Sequence, residues 1–504
     1  MKKVINKEDK NNILFLIIIS VLVLVLFLLF EIRITSDNLG FPLDDVYIHF
    51  QFSKNVAEGK GFSFNPMNPT SGSTSPAWTL MLSIFFIVIK DHLLIAKVLS
   101  AVFYILSGIA SYFLSKKILK SKGQALIFSI LFLLCGRFAW AALSGMEVTF
   151  FTFLLILFLL FYIKDKNKYL IVSIIGLASV VRPEGYLMFG FYVLNELVGE
   201  IRSWKSVKHF ISSLILPNII YLIFILPYLI FSFKVTGSFL PNTFNAQDAV
   251  GAFAFYSRLK IAAIYLLRYI YLLVLDNPLL TLLLPLGLFF VAKRCVKNYK
   301  YLLLVLISIG YPLIASVTAP NLRHHGRYII PFIPVYFIIG ICGIKEFLYK
   351  VRMNRKAIFV SIISTFIYLI IMLVNWGSTF GLNVKNINDM HINIGNWVNE
   401  NIPEDSVIAL NDIGAITYIS QREIIDMVGL VSPEVLEVTE GLSKKEREEP
   451  LWDYLISQKP DYLIILPYWY PEISKKEELK EIYRVKLDRY TIVDGEMVVY
   501  KVNY

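Results

Sequence analysis

Two adjacent carboxylates stand early in the chain, in the run Asp44-Asp45-Val46-Tyr47-Ile48. Because neighbouring carboxylates repel each other, at least one should have a raised pKa unless a cation lies near it. A carboxylate that titrates near neutral pH can remove a proton from a hydroxyl group. Asp44 and Asp45 are therefore predicted to be catalytic, with Tyr47 beside them as a substrate-binding residue. The alternative is a solvated turn with a helix N-cap, a position that Asp also favours.

The same loop continues with two segments rich in glycine, proline and hydroxyl groups. They are residues 59–66 (GKGFSFNP) and 69–76 (PTSGSTSP). A loop of this composition can fold over a sugar and offer hydrogen bonds to it. It could equally be an exposed linker, and the sequence does not decide between the two.

Three further groups of ionisable residues lie between apolar runs: Glu147; Arg182 and Glu184; and Arg323, His324, His325 and Arg327. Ionisable residues at membrane depth are costly and are often functional, so these seven are predicted to bind substrate. The alternatives are a structural clasp between Arg182 and Glu184, and a lipid headgroup anchor for the cationic group. The adjacent histidines cannot easily share a metal ion.

The elements that must position these residues are apolar. Of the 504 residues 56% are hydrophobic and the mean hydropathy is +0.62, whereas a soluble chain has about 45–50% apolar residues. Residues 14–30 carry no charge, which is enough to cross a hydrocarbon core about 30 Å thick. This first run has no small-residue cleavage site, so we interpret it as a retained anchor and not as a signal peptide.

The formal net charge of +11 comes from basic clusters in short loops between the apolar runs. Such clusters mark the cytoplasmic side of a membrane protein, so they indicate topology and not nucleic-acid binding. Alternation between them predicts about eleven transmembrane helices with a cytoplasmic N-terminus. The predicted spans are 13–31, 94–115, 123–141, 148–163, 169–182, 186–199, 209–232, 279–292, 301–318, 328–344 and 357–375. Two further apolar stretches, 78–89 and 261–275, are predicted to be interfacial or re-entrant helices.

Residues 380–504 have the composition of a soluble domain and follow an odd number of spans, so they are predicted to lie outside the cytoplasm. Apolar runs at 407–410 and 462–466 predict buried strands, and 394–399 predicts part of a helix. Residues 483–488 and 496–502 predict a hairpin around Asp494-Gly495. The chain is thus expected to be a polytopic α-helical membrane protein at 1–379, with a long first extracytoplasmic loop at 32–93, followed by an extracytoplasmic α/β domain.

This topology places all the candidate residues on the outer face of the plasma membrane. ATP and nucleotide sugars are cytoplasmic, and the chain has neither a P-loop nor a dinucleotide fingerprint. A transferase at this face needs an activated donor delivered within the bilayer. The three cysteines are far apart and have no ligand spacing around them, so a disulfide framework or a zinc site is not expected.

Taken together, the motifs resemble the GT-C superfamily of glycosyltransferases that use polyprenyl-phosphate sugars. Within it they are most similar to the arabinofuranosyltransferase-like branch, which is related to the protein O-mannosyltransferase and aminoarabinose transferase families. The resemblance extends over nearly the whole chain. It is carried by residues 44–48 (DDVYI), 59–66 (GKGFSFNP), 73–79 (STSPAWT), 144–147 (SGME), 182–185 (RPEG), 237–244 (GSFLPNTF), 327–328 (RY), 411–416 (NDIGAI) and 426–430 (DMVGL).

The resemblance implies an aspartate base in the first outer loop and an inverting single displacement. Asp44 is favoured over Asp45, because the related transferases place the acid first in the pair. It adds Asn242 to the substrate-binding residues and implies three partners: a polyprenyl-phosphate sugar donor, a glycan or glycolipid acceptor, and membrane lipid. No cofactor is certain, and a divalent cation is left open because relatives differ in metal dependence.

Other functions fit parts of this pattern. A polysaccharide ligase or polymerase would also use outer arginines, but with a lipid-diphosphate donor. A lipid or glycan transporter would place its charges at the bilayer midplane, usually with an inverted repeat. A non-catalytic scaffold would have no use for a set of carboxylates and cations.

Overall fold

The computed structural model describes residues 6–202, 206–239, 255–318, 320, 322–351, 355–439, 441–443 and 445–504. The chain forms two compact units. The first, which we call the helical unit, comprises Met1–Leu29, Lys97–Leu226 and Tyr256–Gly377. The second, the mixed unit, comprises Phe30–Ala96, Pro227–Phe255 and Ser378–Tyr504.

The helical unit is built from apolar helices whose backbone polar groups are satisfied internally, as a bilayer requires. One of them, Val148–Ile163, has no charged side chain and is buried along most of its length. The α-helices that lie wholly or partly in this unit are Lys7–Thr35, His92–Leu119, Lys122–Leu133, Gly136–Ala142, Val148–Ile163, Lys168–Val181, Glu184–Arg202, Val207–Phe210, Leu216–Thr236, Phe255–Asp276, Pro278–Leu282, Leu284–Lys297, Leu302–Val305, Tyr311–Thr318, Ile333–Val351 and Arg355–Ile387.

Each of the eleven predicted spans coincides with one or more of these helices, which confirms a polytopic helical membrane protein. By length and composition, six described helical segments can cross a membrane, or seven if the pair Lys122–Leu133 and Gly136–Ala142, bent by 66°, is one span. The other predicted spans are shorter or more polar, as in the 14-residue helix Lys168–Val181. The number of crossings therefore stays a prediction.

The mixed unit has a five-stranded sheet in the order β2-β1-β3-β5-β4. β1 is parallel to β2 and β3, whereas β5 is antiparallel to β3 and β4. The predicted strands, helix and hairpin are confirmed. The strands are β1 Val407–Leu410, β2 Glu423–Asp426, β3 Tyr462–Ile465, β4 Leu479–Lys486 and β5 Glu496–Val502; the helices are Asp45–Ala57, Pro76–Phe86, Asn393–Asn401, Gly414–Ser420, Glu434–Thr439 and Glu448–Gln458.

The first loop folds together with this sheet. Phe52 and Phe64 from the loop are fully buried in the same hydrophobic core as Ile408 and Ile464 of the strands. At the edge of the sheet, the side chain of Asn65 accepts a hydrogen bond from the Ile424 backbone N–H at 3.1 Å and donates to its carbonyl at 2.8 Å. A polar side chain thus satisfies an exposed strand edge, and it fixes the loop that carries the acidic pair.

Candidate functional site

Asp44 lies at the N-cap position of the helix Asp45–Ala57, but its side chain does not cap that helix. Instead, its two carboxylate oxygens accept hydrogen bonds from the backbone N–H groups of Gly414 and Ala415, each at 2.7 Å. These donors open the short helix Gly414–Ser420, which follows β1. The carboxylate of Asp44 thus joins the first loop to the helix that follows β1.

Burial raises the pKa of Asp44 to about 6 from its ordinary value of 3.8. A charge on His391 opposes this shift and the neighbouring Asp412 adds to it, while the two backbone N–H groups favour the ionised form. Desolvation is the largest of these effects, since burial penalises the charged form. The arrangement gives one carboxylate of the pair a pKa that suits a general base.

His391 and Asp412 flank Asp44 and were not identified from the sequence. His391 is fully buried, and its Nε2 lies 3.0 Å from Oδ2 of Asp412. Its Nδ1 is buried and has no hydrogen-bond partner among the described residues. The only sequence signal was the run 411–416 (NDIGAI), which supported the resemblance without giving Asp412 a role, and nothing pointed to His391.

The other two predicted residues of this loop have different surroundings. Asp45 is the first residue of its helix and is half-buried. Tyr47 is buried in an aromatic cluster, with its ring centroid 5.7 Å from those of Phe41 and Phe50 and 5.9 Å from that of Tyr418. Burial, with a contribution from the charge of Asp44, raises the pKa of its phenol. Tyr47 thus packs beside the acidic site.

In the helical unit, Arg182 is held by two carboxylates. Its guanidinium donates to Glu147 at 2.5 Å and to the two oxygens of Glu184 at 2.7 and 3.2 Å. Arg182 and Glu147 are both buried. The clasp left open from the sequence is therefore present, and it includes Glu147 as a third member. Since the guanidinium is already engaged, Arg182 is better placed to shape the site than to bind a phosphate directly.

Tyr328 links the clasp to the cationic group. The guanidinium carbons of Arg182 and Arg327 each lie 5.2 Å from the centroid of its ring, a distance typical of cation–π contacts. Arg327 also donates to the Tyr328 hydroxyl at 3.2 Å. Arg323 is exposed at the start of the same turn. The structure thus brings Glu147, Arg182, Glu184 and Arg327 together around one aromatic ring.

The two histidines lie in a strained turn. His324, His325 and Gly326 all have positive φ, at 52°, 60° and 65°, a backbone region that side-chain-bearing residues rarely adopt. The His325 ring packs edge-on against Trp140 and Trp376, with centroids 5.5 and 5.0 Å apart. This places His325 in an aromatic contact and gives no metal-binding geometry.

A buried ion pair that the sequence analysis missed supports this turn. Arg137 is bonded to Asp276, both fully buried, and it donates to the carbonyls of His325 and Gly326 at 3.1 and 3.4 Å. Both residues stand beside or within apolar runs, and that was a usable signal, since charges at membrane depth usually pair. Their pairing could not be deduced, because 139 positions separate them in the chain.

Two further predictions concern Asn242 and a divalent cation. Asn242 lies outside the described residues. For the divalent cation, no group of three or more His, Cys, Asp or Glu residues in the described ranges could hold a metal ion. Asp44 is engaged by backbone N–H groups, and Glu147 and Glu184 are engaged by Arg182. The divalent cation stays a prediction.

Comparison with known proteins shows which solved structures share the fold of this chain. A family model described as Domain of unknown function (DUF8728) matches residues 385–500, and no curated protein sequence matches the chain. The oligosaccharyltransferase of Archaeoglobus fulgidus, solved with Zn and sulfate, is similar with a TM-score of 0.58 and 13% identity, over 88% of this chain and 67% of its own. ArnT from Cupriavidus metallidurans, bound to undecaprenyl phosphate, has a TM-score of 0.57 and 12% identity, over 96% and 97%.

These likenesses confirm the predicted GT-C fold. The arabinofuranosyltransferase AftD from Mycobacteria has a TM-score of 0.46 at 12% identity, over 97% of this chain and 40% of its own. That score is too low to support an argument, so the arabinofuranosyltransferase-like branch stays a prediction.

Proposed function

We propose that this chain is a membrane glycosyltransferase that moves a sugar from a polyprenyl-phosphate donor to a hydroxyl group of a glycan or glycolipid acceptor outside the cytoplasm. The fold it shares with ArnT and with an oligosaccharyltransferase supports this class of reaction. The observation that carries the proposal is Asp44, a half-buried carboxylate with a pKa of about 6 in the loop after the first apolar helix.

In this mechanism, ionised Asp44 accepts the proton of the acceptor hydroxyl. The acceptor oxygen then forms its bond to the anomeric carbon, while the bond from that carbon to the phosphate oxygen breaks. The electron pair of the broken bond leaves with the phosphate. Because the acceptor oxygen attacks the face opposite the phosphate in a single displacement, the anomeric configuration inverts. Phosphate is a good leaving group, and cations that stabilise the developing charge are sufficient without a general acid.

We assign the donor phosphate to Arg323 and Arg327. Arg323 is exposed, and Arg327 is half-buried beside Tyr328, whereas Arg182 is committed to two carboxylates. Arginine suits this role because its fixed fork of donors matches the geometry of a phosphate group. Arg182 then acts through Tyr328 as a positioning residue.

The test is transfer by purified protein in nanodiscs. Radiolabelled undecaprenyl-phosphate glucose, mannose and arabinose serve as donors, and envelope glycans from cells that lack the protein serve as acceptors. Asp44→Asn keeps the size of the side chain and removes its basicity, so the rate should fall by about 10²–10⁴. Binding of the donor, measured in parallel, should be retained.

Asp45→Asn is the matched control, because Asp45 adjoins Asp44, whereas the Gly414 and Ala415 N–H groups donate to Asp44. Its rate should fall much less. If the wild-type protein transfers label and both variants keep near-normal turnover, the acidic pair is structural. Neither aspartate is then the general base, and the proposed mechanism is wrong.

A further inference from the structure

Residues 69–76 of the first loop are held inside the mixed unit and do not form an exposed linker. Thr70, Ser71 and Ser75 have exposed fractions of 5%, 0% and 1%. The Tyr228 hydroxyl donates to the carbonyl of Ser71 at 3.2 Å and to the carbonyl of Ser73 at 2.7 Å. The segment is therefore fixed through its backbone carbonyls.

Three hydroxyl groups in this short segment are buried and make no hydrogen bond to a described residue. The side-chain oxygens of Thr70, Ser71 and Ser75 have no hydrogen-bond partner among the described residues. Ser75 occupies the N-cap position of the helix Pro76–Phe86, yet its hydroxyl makes no cap hydrogen bond. A buried polar group left unsatisfied destabilises a fold by about 1–3 kcal/mol. Three within six residues are more than a native fold usually carries, so they point to a bound group or to ordered water that satisfies them.

Ser73, in the middle of the same segment, behaves differently. Its hydroxyl lies 3.0 Å from that of Thr79, which in turn lies 3.4 Å from Nδ1 of His49. This chain reaches the helix Asp45–Ala57, one turn beyond the acidic pair. The segment is thus tied to the element that carries Asp45, whereas the hydroxyls of Thr70, Ser71 and Ser75 make no hydrogen bond within the described part of the chain.

The chemistry of the segment selects a neutral ligand rich in hydroxyl groups. Each Ser or Thr hydroxyl can both donate and accept a hydrogen bond, as the hydroxyls of a sugar ring also do. The run 69–76 (PTSGSTSP) contains no Lys or Arg, so it lacks the charge-assisted donors that a phosphate group prefers. We propose that Thr70, Ser71 and Ser75 form a binding subsite for a neutral sugar ring, an inference that rests on the proposed transferase function.

The sugar has two sources in that reaction: the ring carried by the donor, and a ring of the acceptor glycan. The two arms of the experiment distinguish them. The first measures affinity for undecaprenyl-phosphate mannose, glucose and arabinose relative to undecaprenyl phosphate alone. The second measures the KM for an acceptor oligosaccharide at saturating donor concentration.

Ser71→Ala and Ser75→Ala are the test variants, and Ser73→Ala is the matched control. Because the hydroxyls of Ser71 and Ser75 make no internal hydrogen bond, their removal should leave the Tm unchanged or raise it. Removal of the paired Ser73 hydroxyl should lower the Tm. In the sugar-dependent arm, each test variant should lose about threefold to tenfold in affinity, as expected for one hydrogen bond, with binding of undecaprenyl phosphate unchanged.

A loss confined to the donor arm places the donor sugar at the subsite, and a raised acceptor KM with normal donor affinity places the acceptor sugar there. Wild-type behaviour in both arms overturns the inference, as does a lowered Tm for both test variants, since the hydroxyls would then be structural. Sugar-dependent binding without transfer leaves the subsite standing and defeats the transferase proposal. If the protein transfers sugar and neither variant changes that transfer, the transferase proposal stands and the sugar subsite is overturned.

Discussion

Asp44 and Gly414 are in direct contact although 370 positions separate them in the chain. The Gly414 N–H donates to Oδ2 of Asp44 at 2.7 Å, and a Cβ atom added to Gly414 would lie 2.6 Å from that oxygen and 2.7 Å from the carboxyl carbon. The atom nearest to that Cβ would be the backbone carbonyl oxygen of Asp44, at 2.2 Å. The glycine is therefore needed for close approach, because a side chain would displace both the backbone and the carboxylate of Asp44. The position of the proposed base therefore depends on the first residue of the helix Gly414–Ser420, which follows β1.

Gly414→Ala tests this dependence. Displacement of the carboxylate should destabilise the protein by about 1–3 kcal/mol, as overpacking usually does, and should reduce the transfer rate together with it. Thermal unfolding and transfer assays measure the two effects. Gly190→Ala is the control, because a Cβ at Gly190 meets nothing within 4 Å. A Gly414→Ala protein with wild-type Tm and rate would contradict the contact.

The pH dependence of transfer should report Asp44. Its pKa is raised to about 6, and only the ionised form accepts a proton. The value of kcat/KM should therefore be constant above pH 6 and fall as the pH drops below it. In Asp44→Asn, the residual rate should lack this decline.

Asp426 gives the matched control for that profile. Burial also raises its pKa to about 6, although it accepts backbone hydrogen bonds from Val428 and Val431 at the end of β2. Asp426→Asn should change stability and keep the decline below pH 6. If the decline survives in Asp44→Asn and disappears in Asp426→Asn, the titrating group that limits transfer is Asp426 and not Asp44.

The sequence predicted the elements better than the site. Strand β1 was predicted with its observed limits, because a short apolar run such as 407–410 must be buried on both faces. The spans were predicted because hydrocarbon selects long apolar runs. The acidic pair was selected because adjacent carboxylates repel each other, and Asp44 was favoured over Asp45 by the resemblance to related transferases.

The partners of these residues could not be predicted, because they are brought together only by the fold. His391 reaches Asp412 across 21 positions, and Asp44 reaches Gly414 across 370. Nothing in the local composition of either segment encodes such a contact. Arg182 illustrates the same limit: its neighbour Glu184 was an expected partner, whereas Glu147, 35 positions away, was not.

Topology is the subject of the third prediction. The basic clusters predict that the chain around Lys122 and Lys356 lies on the cytoplasmic side, because positive residues are retained there. Reporter fusions after Lys122 and Lys356 should be active as cytoplasmic reporters, and a fusion at Tyr504 should be active outside. A cytoplasmic C-terminus would break the parity of the spans and, with it, the assignment of an outer-face site.

The fourth prediction separates the two arginines that share Tyr328. Arg182→Ala would leave the carboxylates Glu147 and Glu184 buried without their cation, and loss of one partner from a buried ion pair typically destabilises a protein by about 3–5 kcal/mol. Arg327→Ala removes a half-buried guanidinium, so the fold should tolerate it. If Arg327 contacts the donor phosphate, that variant should lose about 1.5–3 kcal/mol of donor binding or of transition-state stabilisation.

The measurements for this pair are the Tm in nanodiscs and the affinity for undecaprenyl phosphate. Arg182→Ala should lower the Tm strongly, and Glu184→Gln should lower it less because Glu147 still engages the arginine. Arg327→Ala should keep the Tm and weaken binding of the lipid phosphate. If Arg327→Ala binds undecaprenyl phosphate as the wild type does and transfers at the wild-type rate, the cationic group is a headgroup anchor, and the donor phosphate must be recognised elsewhere in the chain.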